Sequence, residues 1–362
     1  LRRLTKLSAV AAVAALALAG CGSSDSGGSD GGGKPAASKD VCKTAKGDGP
    51  KIGLAYDVGG RGDQSFNDSA YVGLKKAVDE FDATCIEGEA SDGEAESARE
   101  DRLRNFAENG ATAIIGVGFA YSESVNKVAP DFPDVHFGVI DGFDPDKDAN
   151  DNVAYLGFAE EQGSYLVGVA AAEKSKSGTI GFVGGVHNDL IKKFEAGYTA
   201  GAKAAKPGIK VEVSYIQESD LKGFGDPAGG KAAATGEFDK GADVVYHAAG
   251  GSGSGVFDAA VEAGDGKWAI GVDSDQYLTA TKTQQPHILT SMLKRVDTAT
   301  YDFIKSVDGG KPLTSYQTYD LKADGVGYST SGGFVDDISS DIDGYKAKII
   351  SGEIKVPTVP GK

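Results

Sequence analysis

Asp57, Asp141 and Asp273 each close a short apolar run, and each offers a carboxylate that only accepts hydrogen bonds when ionised. Asn67 adds a carboxamide that both donates and accepts. Lys294 adds a cation, and Phe66 and Phe194 add flat rings. The turn Gly250-Gly251-Ser252-Gly253-Ser254-Gly255 brings backbone N–H groups to the start of a helical stretch. Such a set orients and covers a small ligand, with polar groups fixing direction and rings supplying contact area. An activated nucleophile is missing: no Cys or Ser sits in a recognisable elbow, and no His pairs with one. Binding, with no cofactor, metal or catalytic group, is the chemistry these residues support.

Taken singly, each residue has a plainer reading. Phe66 lies in GGRGDQSFNDSAYVGL (59–74), where it is equally a hydrophobic staple at a helix start, with Ser65 or Asn67 as the cap. Asp141 and Asp273 also read as caps of the turns that follow them. Lys294 also reads as a solvated helix residue, and Phe194 as core on an amphipathic helix. Their shared location along the chain is what joins them.

From residue 51 the chain alternates apolar runs with helical patterns. IGLAY (52–56), TCIEG (84–88), TAIIGVG (112–118), VHFGVID (135–141) and VAYLGF (153–158) form one series. TIGFVG (179–184), VEVSYI (211–216), DVVYHAA (243–249) and WAIGVD (268–273) form a second. After the first run, Ala70, Leu74, Ala77, Val78 and Phe81 share one helical face. Continuous apolar strands alternating with helices make parallel sheets covered on both faces. So many strands favour two lobes over one sheet. A helix near 161–175 links the two series. HILTSMLKRVDTATYDFIKSV (287–307) reads as a return into the first lobe, strand then helix. The expectation is an α/β protein with two Rossmann-like lobes, 49–158 plus about 287–325 and 159–286 plus about 326–355. In open α/β sheets ligands lie beyond the carboxyl ends of the strands, where the residues named above fall. Two facing lobes then share one hinged cleft.

Composition narrows the ligand. The 362 residues carry 37 Lys plus Arg against 53 Asp plus Glu, a net charge of -16. That balance argues against nucleic acid, whose phosphates need a basic surface, and disfavours a nucleotide triphosphate. His136, His187, His247 and His287 are scattered, and no Cys spacing suggests zinc. The Gly turn at 250–255, with Asp273 downstream, imitates a dinucleotide fingerprint, but its spacing is G-G-x-G-x-G. Asp144–Asn152 begins like a calcium loop, yet its sixth position is Ala149 and its twelfth would be Tyr155, so a solvated acidic loop is expected.

The amino terminus reads as an address. Arg2, Arg3 and Lys6 precede an apolar stretch at 8–18, too short for a membrane span, so 1–20 is taken as an export signal. Leu18-Ala19-Gly20-Cys21 is similar to a bacterial lipobox, in which the Cys is diacylated. Two acyl chains anchor a protein stably. Residues 22–39 are Gly/Ser-rich, and 21–48 is taken as the lipidated Cys and a flexible linker. After export, Cys42 and Cys85 are in a disulfide-permissive compartment. Cys42 precedes the first strand and Cys85 opens the second, at the same end of a parallel sheet, so a Cys42–Cys85 disulfide is expected; two separate thiols are the alternative.

Six stretches carry a family resemblance: D-x-SFN at 63–67, FGVID at 137–141, EEQGSYLVG at 160–168, the Gly turn at 250–255, GVDSDQ at 271–276 and TSMLKR at 290–295. In this order they resemble the basic membrane protein family of ABC-transporter substrate-binding lipoproteins, the purine nucleoside receptor A-like group. The resemblance covers about residues 50–355. It implies a type I periplasmic-binding-protein fold, joined by a multi-strand hinge, that closes on a nucleoside and serves an ABC permease. It implies a base sandwiched between Phe66 and Phe194, read by Asn67 and Asp141. Asp57 falls near the base or sugar, and Asp273, Lys294 and the Gly250-Gly251 backbone make the ribose set. A monomer, lipid-anchored on the extracytoplasmic face of the cell membrane, is expected. The alternatives are another small polar ligand, such as a sugar or sugar-like signal, and a membrane-tethered sensor or regulator.

Overall fold

The computed structural model describes residues 40–144 and 150–361. The export signal, Cys21, the linker to residue 39 and residues 145–149 of the acidic loop lie outside the described residues. A short helix, α1 (Val41–Thr44), precedes the first βα series. That series runs β1 (Lys51–Tyr56), α2 (Phe66–Glu80), β2 (Thr84–Glu89), α3 (Glu96–Glu108), β3 (Ala113–Val117), α4 (Ser122–Val128), β4 (His136–Ile140) and β5 (Val153–Phe158). The second runs α5 (Glu160–Lys174), β6 (Thr179–Val186), α6 (Asp189–Ala205), β7 (Lys210–Gln217), α7 (Pro227–Asp239), β8 (Val244–Ala248), α8 (Gly253–Ala263), β9 (Trp268–Asp273) and β10 (Ile288–Lys294). The chain ends with α9 (Val296–Asp308), β11 (Ser315–Tyr319), β12 (Val326–Tyr328) and α10 (Ser339–Ile350).

Each apolar run of the sequence is a strand. β1, β3, β4, β8 and β9 are buried along nearly their whole length, as strands covered on both faces must be. They build two six-stranded sheets, β11-β5-β4-β3-β1-β2 and β12-β10-β9-β8-β6-β7. All pairings are parallel except that of β12 with β10. On α2, Ala70, Leu74, Ala77 and Val78 are buried, as the helical spacing predicts. No described helix is long and apolar enough to cross a membrane.

One expectation is corrected. The strand Ile288–Lys294 does not open the return to the first lobe; it pairs in parallel with β9 in the second sheet. The return comes at Arg295, and α9 packs on α2, β3 and β4. An apolar strand suits either sheet, and only pairing to a neighbour decides which one it joins. The chain therefore passes between the sheets after β5, after β10 and between β11 and β12. β11 and β12 are short and partly exposed, and have no apolar run to announce them.

Two covalent or steric devices hold the frame. Cys42 and Cys85 form a disulfide that ties α1 to β2, with Cα atoms 4.8 Å apart. Helices α5 and α6 lie backbone against backbone. A Cβ on Gly197 or Gly201 would come within 2.1 or 2.0 Å of the carbonyls of Glu161 and Tyr165. That contact sets the position of α6, which carries Phe194.

Candidate functional site

The loop after β1 is built around Asp63. Its Oδ2 accepts from the Asn67 backbone N–H at 2.8 Å, and its Oδ1 from the N–H groups of Ser65 and Asp68 at 2.9 and 3.1 Å. Asp63 thereby takes up the free donors of Asn67 and Asp68 in the first turn of α2. Neither Ser65 nor Asn67 is the cap by side chain. Ser65 occupies the cap position without a capping bond, and its Oγ donates to Asp273 Oδ2 at 2.6 Å. Asn67 is almost fully buried; its Oδ1 accepts from the Asp57 backbone N–H at 2.9 Å, and its Nδ2 donates to Asp63 Oδ2 at 3.1 Å. The carboxamide is thus oriented from both ends before any ligand arrives. Phe66, the first residue of α2, is half-buried.

Asp57 is packed against Gly118. Gly118 has a left-handed φ of 102°, and a Cβ there would lie 2.2 Å from Asp57 Oδ2, so only glycine fits. Burial is the main influence on Asp57 and pushes its carboxyl up to about 7, while the Val58 N–H on its Oδ1 acts in the opposite direction. Asp63 and Asp273 are each pushed up to about 6, again chiefly by burial.

At the end of β10, Lys294 is 2% exposed. Its Nζ donates to Asp141 Oδ2 at 2.6 Å and lies 3.5 Å from Glu160 Oε1. Burial works against its charge, but Asp141, Glu160 and Asp273 outweigh burial and hold the ammonium above the usual lysine range. Burial raises the Glu160 carboxyl, and Lys294 opposes that rise. Lys193 reaches the other oxygen of Glu160 at 3.3 Å. The Lys294 ammonium is also 5.1 Å from the Phe66 ring centre and 5.5 Å from that of Phe194. Lys294 is therefore a buried strand-end residue and not a solvated helix residue.

Every candidate ligand-binding position except Gly251 borders one cavity between the two sheets. Asp57, Phe66, Asn67 and Asp141 come from the first lobe; Phe194, Gly250, Asp273 and Lys294 come from the second. Phe194 is buried as well, so it is a core residue that also faces the cavity. The cavity further includes Asp63, Phe119 and Phe224, which sequence reasoning did not single out. Asp63 sat in a quoted motif but reads as one polar loop residue among several. Phe119 and Phe224 lie on short 3₁₀ turns with no periodic signal. Glu160 opens the quoted stretch EEQGSYLVG, where the ordinary preference for acids at a helix start is explanation enough.

Two parallel-sheet lobes, crossed three times by the chain and sharing a cavity at their strand ends, define a type I periplasmic-binding-protein fold. This is the architecture of solute-binding proteins. Residues 51–359 match the family described as ABC transporter substrate-binding protein, PnrA-like. The chain is 34% identical to the ABC transporter nucleoside-binding protein BmpA of Lactococcus lactis, over 99% of each chain. It is 34% identical to the CD4+ T-cell-stimulating antigen of Listeria monocytogenes, over 85% of this chain and 88% of that one. A solved solute-binding protein of an ABC transporter system from Aeropyrum pernix superposes with a TM-score of 0.74 at 27% identity, covering 85% of this chain and 93% of that one. The chain belongs to the PnrA-like family of ABC transporter substrate-binding proteins, and it is a binding protein rather than an enzyme.

Proposed function

We propose that this protein captures nucleosides, purine nucleosides foremost, between its lobes and delivers them to the permease of an ABC importer. In this reading it acts as a monomer outside the cytoplasm, tethered through acyl chains on Cys21. Phe66 and Phe194 sandwich the base, Asn67 and Asp141 read its edge, and Asp57 lies near base or sugar. Asp273, Lys294 and the Gly250-Gly251 backbone hold the ribose.

One observation carries the reading. Asp141 Oδ1 is buried and has no hydrogen-bond partner among the described residues, while Oδ2 is committed to Lys294. Asp141 shares its cavity with Phe66 and Phe194. A buried acceptor of that kind suits a ligand with N–H donors on a flat ring, as in purines. Stacking on an aromatic ring contributes about 1–3 kcal/mol per base and tolerates different bases. Among the described residues that line the cavity, Lys294 is the one cation beside Asp57, Asp63, Asp141 and Asp273, which favours a neutral nucleoside over a phosphorylated one. The nucleoside-binding relative in Lactococcus lactis supports the same ligand class.

Calorimetry with nucleosides, nucleobases, nucleotides and sugars tests the proposal. Heat with purine nucleosides and none with sugars is the expected result; a sugar that binds while every nucleoside is silent overturns it. Phe66→Ala should weaken all nucleosides by a similar factor, about tenfold or more, whereas Asp141→Asn should reorder them. Equal losses from both substitutions would remove the distinction between stacking and edge reading.

A further inference from the structure

The motif GVDSDQ ends on Gln276, to which the proposed ligand set gives no role. Gln276 is 2% exposed and does not border the cavity. Its Oε1 accepts from the Val272 backbone N–H at 2.9 Å and lies 3.0 Å from His247 Nε2. A backbone N–H only donates, so the amide oxygen must face Val272. His247 Nε2 then meets an acceptor and must carry its proton. The His247 ring is fully buried and packs edge-on against Phe257, 5.3 Å between centres. Ser291 Oγ takes the Gln276 backbone N–H at 3.2 Å. With the oxygen fixed inward, the amide nitrogen is turned toward the other lobe, where it donates to the Gln64 carbonyl at 3.1 Å.

That bond is the centre of a small interlobe seam. Ser274 Oγ donates to the Ser65 carbonyl at 3.0 Å, and Ser65 Oγ donates back to Asp273 Oδ2 at 2.6 Å. Gln64 presents its carbonyl from a left-handed conformation, φ 55°, that is unusual for a non-glycine residue. Gln64 and Ser65 lead directly into Phe66 and Asn67, while Ser274 and Gln276 lead directly out of Asp273. Neither Gln64, Ser65, Ser274 nor Gln276 borders the cavity.

The geometry points to Gln276 as a positioning residue for capture: a latch that joins the two lobes beside the cleft and sets how tightly they hold together, whichever ligand lies inside. A ligand adds to an equilibrium that the latch already biases. For nucleosides the inference rests on the proposed function, but the latch itself does not require a ligand.

The test compares the mature protein with Gln276→Met, which keeps length and loses the bonds, and with Ser274→Ala, a milder lesion in the same seam. Hydrogen exchange is followed without ligand at residues 64–68, at 272–277 and in β3. Loss of one such bond should speed exchange about fivefold on both sides of the seam and leave β3 unchanged. Ser274→Ala should act in the same direction and less. In stopped-flow measurements with adenosine and guanosine, dissociation should quicken by one common factor. Faster exchange confined to 272–277, with 64–68 unchanged in both variants, would overturn the latch. Because the exchange experiment needs no ligand, silent nucleosides with a two-sided exchange effect would reject the ligand reading and keep the latch. Nucleoside binding with no effect at 64–68 would do the reverse.

Discussion

Asp141 and Asp273 stand at matching places in the two lobes. Each sits at the carboxyl end of a parallel strand, each takes a left-handed backbone (φ 59° and 64°), and each borders the cavity. Aspartate tolerates that conformation better than most residues. The difference lies in what the opposite lobe supplies. Asp141 receives the ammonium of Lys294 at 2.6 Å from the second sheet. Asp273 receives, among the described residues of the first lobe, only the hydroxyl of Ser65, also at 2.6 Å. One backbone device thus yields two carboxylates, one committed to an ion pair and one that burial pushes up to about 6. Each is completed by a residue of the facing lobe, so the electrostatics of the cavity belong to the paired lobes and to neither alone.

The contrast breaks most easily at Lys294. Lys294→Met leaves Asp141 without its cation and Glu160 with Lys193 alone, all in a buried setting. Removing one member of a buried pair costs about 3–5 kcal/mol, and a denaturant titration should show a loss of that order. Adding Asp141→Asn should recover a large part of it. A loss below about 1 kcal/mol would rank the pair with exposed ion pairs and end the contrast with Asp273.

A pH series sharpens the other side. The Asp273 carboxyl, ordinarily near 3.8, is pushed up to about 6 in the folded chain by burial, so the folded state holds this proton more tightly than the unfolded one. Its contribution to stability is present below the lower value and is lost as pH rises through the higher. Asp57 and Asp63 act in the same sense. Melting temperature should therefore fall across that window, and Asp273→Asn should make the fall shallower. An unchanged slope would show that Asp273 ionises as freely as an exposed carboxylate. The smallest effect is expected from Ser65→Ala, about 1 kcal/mol in unfolding free energy, the worth of one hydrogen bond. If Ser65→Ala cost as much as Lys294→Met, the hydroxyl and the ammonium would be equivalent partners and the comparison would fail.

Much of the fold was legible because burial on both faces leaves a mark that any window of sequence displays. β1, β3, β4, β8 and β9 are continuous apolar runs, and the face Ala70, Leu74, Ala77, Val78 of α2 follows from helical spacing. The strand Ile288–Lys294 was visible as a strand but went to the wrong sheet, since apolar character does not name a neighbour. The start of α2 shows the same limit at short range. Asp63, Ser65 and Asn67 are all competent caps by type, and only the folded loop aims Asp63 at the free N–H groups and leaves Ser65 for Asp273. Gln276 and Glu160 lie inside stretches that drew notice, but their partners are Gln64, more than two hundred residues earlier, and Lys294, more than a hundred residues later.

By itself the sequence determined the alternation of strands and helices, the division into two series and the residue types at the strand ends. Those are local properties, set by which side chains prefer water and which backbones need glycine. The tertiary structure decided which carboxylate meets the lysine, which meets the serine, and which amide spans the lobes. Hydrogen bonds and ion pairs act over about 3 Å, and that distance between residues far apart along the chain exists only after the two sheets have come together.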